Sequence, residues 1–259
     1  MLDLSQGVMQ RARGVAKLGF SSGKLIQLAQ LGSAKVMLPS VHSPIPEGVF
    51  LNTAGGLTGG DRFSFEASIE GGALMLTTQT AERAYASIGA AAEVSVRLNV
   101  GPSATLFWLP QETILFDQSS LRRRTTIKAA PGARVLALEM IVLGRAAMGE
   151  QLTRFEIRDR REILDDGPQW VDALALDETL MGKAAGLADT RAFMTLVLYA
   201  EDAEDVARSL VLPSGLAMSA WGGKLVIRGA YGDLWPLKRD LAPVLKKLTG
   251  GQMPRVWAV

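Results

Sequence analysis

The stretch AEVSVRLNV, residues 92–100, decides the fold class of this chain. Apolar residues occupy every second position from Val94 to Val100, and polar residues fill the positions between them. A period of two is typical of a β-strand that buries one face and exposes the other to water. The stretch therefore predicts a half-buried strand.

Runs of similar composition lie on both sides of this strand. They are rich in β-branched or aromatic residues and are bounded by Gly, Pro or Asp. The runs are ATLFWLP (104–110), ARVLALEMIVLG (133–144), RFEIRDRREIL (154–164), RAFMTLVLYA (191–200) and KLVIRGA (224–230). Between residues 48 and 170 no convincing long helix is found. Many short strands at fairly regular spacing predict a mainly β chain, built as a sandwich, a barrel or a β-solenoid.

Two helices are predicted in the C-terminal half of the chain. Residues 201–210, EDAEDVARSL, place their acids toward the positive end of a helix dipole. From Leu234 to Leu248 apolar residues recur every three or four positions, and two glycines at 250–251 supply a stop. Pro243 is expected to kink this second helix or to begin a new one, because proline cannot donate a helical hydrogen bond.

Composition narrows the class of protein. The 259 residues are 48% hydrophobic, which suits one domain over residues 1–259, and the net charge of +2 is too small to indicate a nucleic-acid partner. With no cysteine and one histidine, His42, the chain lacks thiolate metal sites, disulfides and Cys nucleophiles. Without a secretory signal or a long unbroken apolar run, we expect a soluble cytoplasmic protein and no membrane segment.

The stretch LNTAGGLTGGDRF, residues 51–63, combines four glycines with one acid. A phosphate cradle is one interpretation, but no P-loop lysine follows and Asp61 would repel phosphate. A tight turn whose glycines supply positive φ is the favoured interpretation. The glycines are Gly55, Gly56, Gly59 and Gly60.

Acids and bases near residue 140 form a second candidate site. Glu139 lies inside an apolar run, where an unpaired carboxylate is costly, and Arg145 and Glu150 follow where the run ends. Glu139 is either a buried acid with an internal partner such as Arg145, or an acid that lines a wet cavity; buried-charge energetics leave both open. The arginines at 122–124 are interpreted as a solvated face, since three like charges are too few for a strong footprint.

In these motifs the chain resembles the urease accessory protein UreD (UreH) family. The segments that carry the resemblance occur in the family's order and extend over essentially the whole chain. They are NTAGGLTGGDRF (52–63), TTQTAERAYAS (77–87), WLPQETILFD (108–117), EMIVLGRAAMGE (139–150) and MPRVW (253–257).

The resemblance implies a fold and a function. It implies a mainly β, stacked, helix-like (β-solenoid-like) arrangement of short strands with about two α-helices. It also implies a non-enzymatic chaperone that binds UreF, recruits the GTPase UreG through UreF, and docks on apo-urease to deliver nickel, with internal water-filled tunnels as the route.

Composition is consistent with nickel in transit rather than a tightly bound cofactor. Tight nickel sites use imidazole, thiolate or a dense ligand set, and this chain has one His and no Cys. Oxygen donors bind the ion weakly and release it, as conduction requires. We therefore expect Asp61, Glu139 and Glu150 to line the nickel path, and Arg145 to hold Glu139 or Glu150. Tyr85 and Glu112 are expected to contact partners or to support local structure.

Two other interpretations remain open from the sequence. A β-solenoid enzyme could act on a carbohydrate with paired carboxylates, but 6% aromatic content is low for sugar stacking. A purely structural scaffold for UreF would differ in one respect: its carboxylates could be neutralised without loss of nickel transfer.

Overall fold

A computed structural model describes residues 11–40, 43–145, 148–183 and 185–257, so His42 lies outside the described part. The strands are β1 Arg13–Ser21, β2 Lys24–Gly32, β3 Ala34–Met37, β4 Glu47–Asn52, β5 Arg62–Glu70, β6 Ala73–Thr78, β7 Glu82–Ala84, β8 Ala92–Val100, β9 Thr105–Trp108, β10 Thr113–Leu115, β11 Ser119–Ala129, β12 Arg134–Leu143, β13 Phe155–Leu164, β14 Pro168–Asp177, β15 Ala192–Tyr199, β16 Leu216–Trp221 and β17 Lys224–Tyr231. The α-helices are α1 Ala203–Ser209 and α2 Leu234–Leu248, and short 3₁₀ helices cover Glu178–Leu180 and Arg255–Trp257.

The strands form two sheets. A seven-stranded sheet has the order β14-β13-β11-β8-β5-β1-β2, and a ten-stranded sheet contains the path β16-β17-β15-β12-β9-β6-β4-β3 with β7 and β10 beside it. From β4 to β13 the chain passes back and forth between the two sheets. Strands that become neighbours through this alternation pair parallel, whereas the strands at the ends of both sheets pair antiparallel.

The sequence correctly predicts a mainly β chain. Each of the runs identified above contains a strand, and AEVSVRLNV is β8 itself. Both sheets are open, so the solenoid-like stacking that the resemblance implies stays a prediction.

A shared apolar core lies between the sheets because one face of each strand is buried. Phe50 contacts Phe65 at 5.1 Å between ring centroids, and Trp108 lies edge-on to Phe50 at 6.1 Å. Strand β12 is buried on both faces: Val135 and Ile141 face this core, whereas alternate residues pack under the helices. A carboxylate on β12 therefore has no access to bulk water without a path through the protein.

Both predicted helices are present and pack on the outer face of the ten-stranded sheet. Asp233 caps the N-terminus of helix α2, since its side chain accepts a hydrogen bond from the N–H of Trp235 at 2.8 Å. It continues through Pro243 to Leu248, so no new helix begins at the proline. Among the described residues, neither helix has the length and apolarity needed to cross a bilayer.

Candidate functional site

Four of the motif segments meet in space at strand β10. Thr113 of β10 pairs with Glu82 of β7 on one side and with Ile141 of β12 on the other. The glycine loop joins them through a bridge between Leu57 and Ala84. We call this region, residues 52–61, 82–86, 111–117, 139–145 and 148–150, the motif end.

Asp61 organises the glycine loop. Its side chain is buried, and its two carboxylate oxygens each accept a backbone N–H: from Ala12 at 2.8 Å and from Thr58 at 2.8 Å. The Asp61 carbonyl also accepts the N–H of Glu93 at 2.8 Å. The carboxylate therefore ties the start of β1 and the glycine loop together, and this loop is a turn, as its composition predicts.

Two of the four glycines show why the loop requires glycine at these positions. Gly60 has φ +84°, in the left-handed region that side chains rarely adopt. A Cβ at Gly56 would lie 2.4 Å from the Tyr85 ring. The glycines thus allow the loop to turn and to lie directly against Tyr85; Gly55 and Gly59 belong to the same loop.

Glu82 and Asn52 form a polar contact beside this loop. The Asn52 amide donates to both carboxylate oxygens of Glu82, at 3.3 and 3.4 Å, and also to the carbonyl of Gly56 at 2.9 Å. Both side chains line a cavity of about 60 Å³. Burial raises the pKa of Glu82 to about 7, although the hydrogen bond from Asn52 opposes the rise. Glu82 is a titratable group that sequence reasoning missed, since its motif shows no clear periodicity.

The raised pKa of Glu82 predicts that stability falls as pH rises from 5 to 8. Between pH 4.5, the ordinary pKa of a glutamate, and about pH 7, Glu82 keeps its proton in the folded state but has lost it in the unfolded state. The stabilisation that results is lost as the pH rises through about 7. Glu82→Gln should remove about 1–2 kcal/mol of this pH dependence. Urea unfolding at pH 5 and 8 measures it, with the exposed Glu201→Gln as the control; an unchanged slope in Glu82→Gln would refute the assignment.

A buried ion pair network crosses the space between the sheets. Arg123 of β11 contacts Glu139 of β12 at 2.5 Å and Asp159 of β13 at 2.7 Å, and it donates to the hydroxyl of Thr113 at 2.8 Å. Burial lowers the pKa of Arg123, but the carboxylates of Asp159 and Glu139 overcome this and raise it above its usual range. Burial raises the pKa of Glu139 while Arg123 opposes the rise. Arg123 is thus the cation that makes two buried carboxylates tolerable.

The network continues to the protein surface with alternating charge. Asp159 contacts Arg161 at 3.4 Å, Arg161 contacts Asp172 at 3.4 Å, and Asp172 contacts Arg228 at 3.0 Å. The Arg228 side chain is 60% exposed. We call these six residues the ion chain: Glu139, Arg123, Asp159, Arg161, Asp172 and Arg228.

The buried position of Arg123 differs from the solvated face that its sequence neighbourhood predicts. Arg122 and Arg124 are exposed, but Arg123 points to the other side of β11, as Leu121 and Thr125 do. The period of two along β11 places Arg123 inward. What the sequence did not contain was the position of its two carboxylate partners.

A small cavity lies next to Glu139. Its volume is about 20 Å³, room for about one water molecule. Two polar atoms of its lining, Trp108 Nε1 and Thr125 Oγ1, have no hydrogen-bond partner among the described residues. Two further lining residues, Glu139 and Arg161, use Oε1 and Nε in their salt bridges to Arg123 and Asp159. A single water molecule matches this set of donors and acceptors.

Arg145 holds Glu150 rather than Glu139. Its guanidinium Nε and its backbone N–H both donate to Glu150 Oε2 at 2.9 Å, while the N–H of Asp117 donates to Glu150 Oε1 at 3.2 Å. These hydrogen bonds outweigh partial burial and lower the pKa of Glu150. Arg145 also lies 4.5 Å from the centroid of the Phe116 ring. The pair fixes the loop that follows β12 against the segment after β10.

Tyr85 and Glu112 differ in exposure. Tyr85 is 39% exposed and packs edge-on against Phe116 at 4.8 Å. Glu112 is buried and contacts Lys238 of helix α2 at 2.6 Å, so it links the motif end to the C-terminal helix.

The predicted nickel-path acids are dispersed among different partners. Asp61 is bound to the backbone of the glycine loop, Glu139 to Arg123, and Glu150 to Arg145. Within the described ranges no group of three or more His, Cys, Asp or Glu residues is placed to hold a metal ion.

Comparisons with known proteins agree with the motif resemblance. The family model described as UreD urease accessory protein matches residues 12–258. Curated proteins named urease accessory protein UreD are 48% identical in Cereibacter sphaeroides, covering 96% of both chains, and 45% identical in Jannaschia sp., covering 100% of both. A relative of the same name from Methylobacterium sp. is 40% identical over 96% of this chain and 95% of its own. On these matches, the chain belongs to the UreD family of urease accessory proteins.

Proposed function

We propose that this protein is a non-catalytic maturation chaperone of urease in the cytoplasm. It binds UreF, recruits UreG through UreF, and docks on apo-urease so that nickel reaches the urease active site. Membership of the UreD family supports a role in urease maturation, and the named partners and the nickel cargo are the finer part of the proposal.

The observation that carries the proposal is the full-length family match, to which the fold adds the convergence of the motifs. Segments separated by up to about ninety residues build one region around β10. Loops and strand ends of this kind, fixed by buried hydrogen bonds, are suited to present a surface of defined shape to a partner.

Of the three acids proposed for the nickel path, Glu139 is the strongest candidate. Asp61 uses both carboxylate oxygens in backbone hydrogen bonds, and Glu150 uses both in its bonds to Asp117 and Arg145. Glu139 borders the internal cavity, which neither Asp61 nor Glu150 lines, and it is held by a salt bridge to the Arg123 side chain at 2.5 Å rather than by backbone hydrogen bonds. In this proposal Glu139 contacts the ion, whereas Asp61 and Glu150 hold the loops beside the path.

The size of the cavity adds a condition to this proposal. A volume of about 20 Å³ admits one water molecule and no hydrated nickel ion. Passage at Glu139 therefore requires that the sheets separate there when UreF and apo-urease bind. The segment from β4 to β13, which alternates between the two open sheets, is the part of the fold that we propose to move.

Co-expression tests the proposal. The chain is produced with UreF, UreG and apo-urease and purified through a tag, and urease activity is measured after addition of nickel. We expect UreF and apo-urease to co-purify and activation to depend on the chain. Failure of both proteins to co-purify would contradict the proposal.

Matched variants of the ion chain test the nickel path. Glu139→Gln and Asp159→Asn each neutralise one carboxylate of Arg123, but the cavity is lined by Glu139 and not by Asp159. At equal amounts of purified complex, we expect at least tenfold less activation for Glu139→Gln than for Asp159→Asn. Equal activation would support the scaffold interpretation, in which no carboxylate carries nickel.

A further inference from the structure

The outer face of the seven-stranded sheet carries a row of arginines. Because β1, β5, β8, β11 and β13 are parallel and in register, Arg13 lies beside Arg62, Arg62 beside Glu93, Glu93 beside Arg122, and Arg122 beside Arg158. All five residues are exposed. Neighbouring strands are about 4.8 Å apart, so the row extends for about 19 Å.

The same face has a surplus of positive charge. The outward-facing residues of these five strands include nine basic and five acidic side chains, a surplus of four that exceeds the +2 of the whole chain. The basic residues are Arg13, Lys17, Arg62, Arg97, Arg122, Arg124, Lys128, Arg158 and Arg160, and the acidic residues are Glu66, Glu70, Glu93, Glu156 and Glu162. We call these fourteen residues the arginine face.

The surplus is not neutralised within the face. Glu66 already contacts Lys17 and Arg97, and Glu162 contacts Arg124 and Arg160. Arg62 contacts Glu93 and Arg158 contacts Glu156, so the acids of the face are already paired, with the exception of Glu70. Arg13 and Arg122 have no ion pair among the described residues, and Arg122 lies next to Arg158. Like charges placed side by side on neighbouring strands destabilise a sheet. This arrangement costs stability in the free chain, and an anionic partner that covers the face would remove the repulsion.

The shape of the face suits a protein partner. Within the described part of the chain no α-helix packs here, since α1 and α2 both pack on the other sheet. A shallow depression of about 490 Å³ lies over the arginine row. Exposed apolar side chains border the arginine face on both sides: Leu31 on β2, 71% exposed, is opposite Val15, and Val171 on β14, 42% exposed, is opposite Glu162. Seven strands about nine residues long give about 850 Å², close to the area that one partner contributes to a standard protein interface.

We propose that the arginine face docks on a carboxylate-rich surface of another protein of the urease maturation assembly. The proposal rests on the function proposed above. Guanidinium groups bind carboxylates with two parallel charge-assisted hydrogen bonds, and a row of them fixes orientation as well as contact. The apolar borders supply the buried area that charge alone does not.

Charge distribution favours a protein over a nucleic acid as the partner. Five carboxylates are interspersed among the arginines, and each would repel a phosphate backbone. The total charge of +2 is also too small for the extended positive field that duplex binding uses. On a protein surface of mixed charge, the same carboxylates can pair with basic residues of the partner and so favour one relative orientation of the two proteins.

The test compares two triple variants of the full chain. R13Q/R122Q/R158Q removes three charges from the arginine face, and R208Q/R239Q/K246Q removes three exposed charges from helices α1 and α2. Each is co-expressed with UreF, UreG and apo-urease and purified through a tag, at 50 and 300 mM NaCl. We expect the first variant to retain at least tenfold less UreF or apo-urease than the wild-type chain, the second variant to retain wild-type amounts, and wild-type retention to fall with salt.

The outcomes separate the two proposals. If all three chains retain both proteins equally, or if both variants lose them equally, the arginine face is not the docking surface and the proposed function stands. If the wild-type chain retains neither protein, the proposed function fails and the docking proposal fails with it. Binding of a 20-base-pair DNA duplex that the first variant loses, with protein retention unchanged, would overturn the docking proposal in favour of a nucleic acid.

Discussion

Arg123→Met is expected to lower the free energy of unfolding by about 3–5 kcal/mol, because it leaves buried Glu139 without its counter-ion and leaves Asp159 with only the more distant Arg161 at 3.4 Å. Arg123 contacts Glu139 and Asp159, whose side chains are 5% and 0% exposed. Methionine fills similar space but offers neither charge nor donors. The carboxylates must then take up protons or remain as uncompensated charges, and the Thr113 hydroxyl loses its donor. Urea unfolding at pH 7 measures the loss.

Arg122→Met is the control for this experiment. It makes the same chemical change one residue earlier on β11, where the side chain is exposed, so we expect a change within about 0.5 kcal/mol. The stability of Arg123→Met should also partly recover at pH 5, where protonation of the stranded carboxylates removes their charge. Equal effects of the two substitutions would show that the ion chain does not stabilise the fold as its geometry indicates.

Asp61→Ala is expected to cost about 2–4 kcal/mol, since two buried backbone N–H groups lose a charged acceptor at once. The groups belong to Ala12 and Thr58, so β1 should detach from the glycine loop first. Hydrogen exchange of these two amides reports the local opening, and urea unfolding reports the total. The exposed carboxylate Asp205 provides the control Asp205→Ala, for which we expect a much smaller loss.

Asp61→Asn separates the structural role of this residue from a role in the nickel path. The amide keeps one acceptor oxygen but removes the negative charge. If the loop is what matters, activation of urease should fall only as far as complex formation falls. Loss of activation at full complex formation would instead assign Asp61 to the nickel path. Wild-type stability of Asp61→Ala would contradict the structural role.

The elements that the sequence predicted well have a clear apolar pattern, either alternating or continuous. In β8 every second residue is apolar, and helix α2 shows its apolar stripe despite Pro243. Strand β11 did not show this pattern, since its inward positions include Arg123 and Thr125 between the apolar residues. A charged residue at an inward position weakens this pattern, and β13 was predicted in spite of inward Asp159 and Arg161 because β-branched and aromatic residues flank them. Such positions are found only when their partners are known.

For the candidate site, too, the sequence identified residues but not partners that are distant along the chain. Glu139 was recognised because a carboxylate inside an apolar run is costly, yet its partner lies on a different strand, sixteen residues earlier in the chain. Arg145 had been assigned to Glu139 or Glu150, and it contacts Glu150, which is close in sequence. The arginine face could not be found from the sequence at all, since its residues lie on five strands and only parallel registration places them side by side.

The ion chain also limits how the strands can mispair during folding. Arg123 is opposite Asp159 in the native register of β11 and β13. A slip by one residue turns Arg123 out to water and drives its arginine neighbours into the core, and a slip by two places it opposite Arg161 or Ile157. Each alternative register leaves a charged side chain unpaired in the apolar interior. A buried charge pair that adds little net stability can thus favour the native strand register over all others while the sheet forms.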